Sequence, residues 1–174
     1  SPALLLVKKR VSAFVHKARY KQAVVFLKKA GRKYPGSIFI ASALASLASE
    51  DAFHGTQKQR DKAFGQAAAN LRPLLRRMRG LSLEQRHRNR NEYYWFSQQH
   101  KKQYDLGERA VRAGYLRAHY SRGVGAANHA YKLFLKRQKL RGMFWALKAE
   151  SAWEIYFKKV NRKYYDPWFW YALC

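Results

Sequence analysis

The sequence predicts an all-α chain built as an αα-hairpin solenoid, with about four helix pairs, irregular and interrupted by insertions. Three observations carry this. Tyr20, Ala23, Leu27 and Ala30 are spaced three, four and three residues apart, so they share one helical face, and Pro35 marks where that helix has stopped. The same spacing returns at Phe64, Ala67, Leu71 and Leu74, and again at Tyr104, Gly107, Val111 and Gly114. Finally, hydrophobic residues are 48% of the 174, enough to bury a core in a single domain over residues 1–174. Cys174 is the only cysteine, so no intrachain disulfide is possible.

Taken in order, residues 3–16 read as an amphipathic helix with Leu4, Val7, Val11, Phe14 and Val15 on one face. Residues 20–33 form its partner, closed by Gly31, Pro35 and Gly36. Residues 38–49, IFIASALASLAS, are a small-residue helix suited to close packing. The stretch SEDAFHGTQKQR reads as an extension of that helix followed by an insertion, and Pro73 should kink or end the helix that carries Phe64. Residues 76–90 are the most basic stretch, and Ser82 with Gln85 forms a capping pair for the next helix. A loop is expected over 115–122, flanked by Gly123 and Gly125. Helices follow at about 125–138 and 143–160. The register of the last is ambiguous between Leu140, Met143, Leu147 and Ala146, Ala149, Trp153, Tyr156. Asp166-Pro167 starts one more helix, which breaks off at Cys174, so truncation at the C-terminus is expected.

The face Tyr20, Ala23, Leu27, Ala30 with Pro35 resembles the second helix of a tetratricopeptide repeat, a helix–turn–helix unit of about 34 residues. Residues 4–37 carry the likeness most fully. The opening Trp–Leu–Gly pattern of the family is absent there, where Val7, Arg10 and Val11 stand. Trp170, Leu173 and Cys174 do match the opening bulky–Leu–small pattern. The resemblance implies a concave groove lined by first helices, which binds an extended peptide or a partner helix. Lys8 falls at a groove position, and Ser12 stands where a carboxylate clamp of this family needs Asn, so no clamp is expected. In the third unit the groove positions would be Glu92, Phe96, Gln99 and His100.

Charge is the other strong signal. Lys plus Arg total 36 against 10 acids, a net charge of +26, and no acidic residue precedes Glu50. Such an excess favours an anionic partner. The cations gather at the ends of second helices: Lys28, Lys29, Arg32 and Lys33; Arg76, Arg77 and Arg79; Arg109, Arg112 and Arg117; Lys158, Lys159, Arg162 and Lys163. One or two per end offset the helix dipole, but three or four exceed that need and would merge into a basic ridge. Glu150 and Glu154, a helical turn apart, read as surface partners of nearby lysines.

The leading expectation is therefore a non-enzymatic scaffold for an acidic protein or peptide. RNA or DNA on the ridge is the alternative, with Arg77, Arg79, Arg86, Arg88 and Arg90 as phosphate contacts. A third is the cytoplasmic domain of a membrane-anchored protein, held at an anionic membrane face by an N-terminal anchor that has been removed. Self-association through an uncapped C-terminal end is also expected. No cofactor or metal is implied: the six histidines lack ligand spacing, and no phosphate loop, dinucleotide fingerprint or nucleophile elbow occurs. Glu50, Asp51 and His54 read as a solvated insertion. The lone cysteine is compatible with a reducing, cytoplasmic setting.

Overall fold

The computed structural model describes residues 2–35, 37–53, 56–76 and 78–160. Eight helices account for nearly all of them, and no strand occurs among the described residues. They are α1 (Pro2–His16), α2 (Tyr20–Lys33), α3 (Ile38–Phe53), α4 (Gln57–Leu75), α5 (Leu83–Phe96), α6 (His100–Arg112), α7 (Ala118–Leu135) and α8 (Lys139–Lys159). The chain divides into two compact units, Ser1–Met78 and Arg79–Cys174. In each unit a helix packs on the one that follows it in sequence, and in the second α5 also touches α7.

In the first unit the core is Val7 and Val11 of α1, Ala23, Leu27 and Ala30 of α2, and Ile40 and Leu47 of α3. Ala23 and Leu27 are fully enclosed, so the alternation of small and bulky residues on α2 faces inward as the spacing predicts. Ala67, Leu71 and Leu74 of α4 are buried in the same way. The insertion expected after residue 49 is largely helical. α3 continues to Phe53, and α4 starts at Gln57 behind a capping box in which Thr56 and Gln59 satisfy each other's backbone amides. Pro73 lies inside α4 and the helix ends two residues later.

The second unit holds the surprises of register. On α6 the buried residues are His100, Gln103, Tyr104, Leu106, Gly107 and Ala110, so the three-four-three run starts at His100, four residues before the expected Tyr104; of the expected set Tyr104 and Gly107 are buried and Val111 is half-buried. Gly114 lies beyond the helix with φ 88°, where it forms the turn into α7. The expected loop over 115–122 is mostly the first turn of α7, and Gly123 and Gly125 sit inside that helix. They are there for close approach. A Cβ on Gly125 would stand 2.7 Å from the Tyr104 amide nitrogen and 2.9 Å from the His100 carbonyl oxygen, both backbone atoms of α6. Gly123 lies against the indole of Trp153, which is wholly enclosed. On α8 the inward side is Ala149, Ala152, Trp153, Tyr156 and Phe157, which resolves its register. The helix expected at Asp166-Pro167, with Arg162, Lys163 and the end at Trp168–Cys174, lies outside the described residues.

Three hairpin turns are built alike. Ala18, Gln98 and Arg137 adopt φ of 52°, 54° and 59°, and Arg19, Gln99 and Gln138 follow at φ near −90°. Each closes with one bond of 2.9 Å: Arg19 N–H to the Phe14 carbonyl, Gln99 to Tyr94, and Gln138 to Leu133. A side chain in this left-handed region is strained. Ala18→Gly, Gln98→Gly and Arg137→Gly should therefore each raise stability in urea unfolding, by up to about 1 kcal/mol.

Candidate binding surface

α2 turns its small and bulky face inward and its cations outward. Lys21, Val25, Lys28, Lys29 and Arg32 fall within one arc of the helix opposite Leu27, and all five are exposed. No carboxylate pairs with these four cations among the described residues. Between α1 and α2 this surface holds a trough of about 370 Å³ lined by Phe14, Lys21, Gln22, Val25, Phe26 and Lys29. Phe14 and Phe26 pack ring on ring at 6.0 Å, and Arg10 sits 5.1 Å above the Phe26 ring, so the apolar floor is edged by charge. Lys33 is exposed nearby, its ammonium 5.9 Å from the Tyr34 ring.

The other predicted cations are placed differently. Arg76 is exposed just past α4 and lines a second trough with Ala69, Arg72 and Pro73. Arg77 lies outside the described residues, and Arg79 is exposed ahead of α5. Arg86 and Arg90 stand one turn apart on α5 and are both exposed. Arg88 points the other way, where it meets Glu84 at 3.0 Å, so the Arg run does not form one row. Arg112 pairs with Glu108 at 3.6 Å, and Lys158 with Glu154 at 2.5 Å. The ends of α6 and α8 are thus partly neutralised, whereas the cations at the ends of α2 and α4 have no ion pair among the described residues.

The expected groove positions need correction. Phe96 and His100 are 4% and 7% exposed, so they are core residues and line no open groove. His100 lies 5.8 Å from the Trp95 ring of α5, and its carbonyl stands against Gly125 of α7, so the start of α6 is enclosed by both neighbours. Gln99 belongs to that turn, its amide donating to the Ser97 hydroxyl at 2.9 Å. Lys8 is exposed with its ammonium 5.0 Å from the Phe39 ring of α3. Ser12 is exposed and its carbonyl accepts from His16 Nδ1 at 2.8 Å.

Glu92 is the one groove position with unusual electrostatics. It is mostly enclosed, one carboxylate oxygen has no hydrogen-bond partner, and burial pushes its pKa up to about 7 against the pull of Arg88. Ionising it in the folded chain is unfavourable, so its contribution to stability falls as pH rises from about 4.5 through 7. Glu92→Gln should raise stability at pH 8 by about 1–3 kcal/mol and flatten the pH dependence above neutrality, as read by urea unfolding.

Two buried clusters test whether chemistry is built in. Tyr104 donates to Glu108 at 3.1 Å, and Arg122 joins them through an ion pair with Glu108 and a bond to the His119 imidazole at 2.9 Å. His119 Nδ1 must accept there, which fits a neutral ring whose pKa is lowered by burial and by Arg122. This network ties α6 to α7. The second cluster is His87 and Ser121, with Nε2 and Oγ 2.8 Å apart. The Ser121 hydroxyl gives its proton to the Ala118 carbonyl at 2.9 Å, so His87 Nε2 is the donor. That polarity is the reverse of a base activating a serine. The other ring nitrogen, Nδ1, is buried without a partner, and no carboxylate orients it. Among the described residues no three His, Cys, Asp or Glu side chains are placed to hold a metal ion.

No protein-family model, curated protein or solved structure matches the chain. The reading of function therefore rests on the surface itself.

Proposed function

We propose that the chain is a tetratricopeptide-like helical-repeat scaffold that binds an acidic, partly apolar protein segment on the α1–α2 hairpin. The observation that carries this is the trough of Phe14, Val25 and Phe26 edged by Lys21 and Lys29, with Lys28 and Arg32 beside it and none of the four cations ion-paired among the described residues. An apolar floor between cations suits side chains of an amphipathic segment whose carboxylates meet the lysines. The repeat reading is supported by the inward face of α2 and by the three matching turns. Nucleic acid is the weaker reading. Single strands need rings exposed beside the cations. Around Arg86 and Arg90 the neighbouring rings, Tyr93 and Tyr94, are half-buried, so that run offers bases no open stacking face.

Val25 is 56% exposed and the lysines are exposed, so their replacement leaves the fold intact. Titration of a fluorescent acidic amphipathic peptide should show affinity falling on the order of tenfold or more in Lys21→Glu/Lys29→Glu. Val25→Ser should weaken the peptide further without changing the salt slope. Equal peptide affinity in both variants and the parent chain would remove this site from consideration.

A further inference from the structure

We propose that the α7–α8 hairpin tip docks on an anionic lipid surface. Among the described residues, seven of the fourteen exposed large hydrophobic side chains fall between Tyr131 and Leu147, around one turn. Leu135 closes α7 at 67% exposure, and Leu140 opens α8 at 84%. On α8, Leu140, Met143, Phe144 and Leu147 lie within a single arc of about 100°. Further along, the same arc carries Ser151, Glu154 and Lys158, all exposed. A face meant to receive another full-length helix would stay apolar to its end. This one is apolar only near the turn.

The apolar side chains are interleaved with cations. Lys136, Arg137, Lys139 and Arg141 are all exposed, and no acidic residue occurs between Glu108 and Glu150. A protruding turn that offers large apolar side chains and ammonium or guanidinium groups together matches the boundary between headgroup phosphates and acyl chains. The charge also argues against a second copy of this chain, which would bring like to like. No helix among the described residues is long and apolar enough to cross a membrane, so contact would be from one side. This surface lies on different helices from the proposed peptide trough, and the two can fail separately.

The test is co-sedimentation of the full chain with phosphatidylcholine vesicles, with and without phosphatidylserine. Charge alone would draw so basic a chain to anionic vesicles, so the decisive variant is Leu140→Ser/Leu147→Ser, which keeps every charge. It should lose vesicle affinity on the order of tenfold or more. Its peptide binding and helical circular dichroism should stay unchanged. Lys136→Glu/Lys139→Glu should also lose vesicle binding. Full vesicle binding by the serine variant would overturn the proposal. A lowered melting temperature alongside it would show that the face packs against protein instead. An acidic peptide that binds the tip in place of vesicles would equally overturn it.

Discussion

Gly125→Val should unfold the second unit or leave it only marginally stable. α6 and α7 cross with backbone against backbone at this point. A Cβ there would meet the Tyr104 nitrogen at 2.7 Å and the His100 oxygen at 2.9 Å, and neither can rotate away as a side chain would. The helices must then separate, which opens the network of Tyr104, Glu108 and Arg122 and loosens the cluster around Trp153. Overpacking of this kind costs about 1–3 kcal/mol for one added group, and the branched side chain of Val adds to it. Gly65 gives the control. It lies in the middle of α4 with open space where its Cβ would be. Gly65→Ala should raise stability by up to about 1 kcal/mol through helix propensity alone. Thermal melts of the two variants should move in opposite directions. A harmless Gly125→Val would mean that α6 and α7 do not cross as described.

Acid should unfold the chain well before its carboxylates are all protonated. Burial holds the His87 imidazole down at about 4. The same cause acts on His100, also at about 4, helped by the charge of Lys132. Unfolding frees both rings to take up protons below about pH 6.5. Their stabilising contribution is therefore complete above that value and is lost as pH falls toward 4. Each is worth about 3 kcal/mol at its full extent, as an order of magnitude. Glu92 works in the opposite sense, so between about pH 4.5 and 6.5 the chain still gains stability with rising pH, two groups against one. His87→Gln should flatten that rise. The loss of the bond to Ser121 lowers stability at neutral pH, so the change of slope is the diagnostic reading.

Where the sequence was legible, the physical reason is simple. On α2 the small and bulky residues are the only ones that suit burial, so spacing and core coincide. Ser82 and Gln85 announced a capping box that the helix uses. On α6 the rule misled because two polar residues are core. Gln103 donates to Asn91 at 3.0 Å and His100 lies 5.8 Å from the Trp95 ring, partners that only the fold supplies. Gly123 and Gly125 read as punctuation because a close approach of helices leaves the same sequence mark as a loop. The trough was half visible. Lys28, Lys29 and Arg32 stood out as a charged end, but no spacing singled out Val25 or Phe26. The sign available was an apolar Val25 on the same arc as Lys21, Lys28 and Arg32, opposite the buried face.

The most direct measurement is a map of backbone amide shifts while a labelled chain is titrated first with an acidic amphipathic peptide and then with RNA of equal charge. The peptide should move amides around Phe14, Val25, Phe26 and Lys29 and weaken only moderately with added salt, since part of its contact is apolar. RNA should cause small shifts scattered over the exposed cations and lose them as salt rises. Tight RNA binding centred on Arg86 and Arg90, with the α1–α2 hairpin unmoved by peptide, would contradict the assignment of the trough as the binding surface.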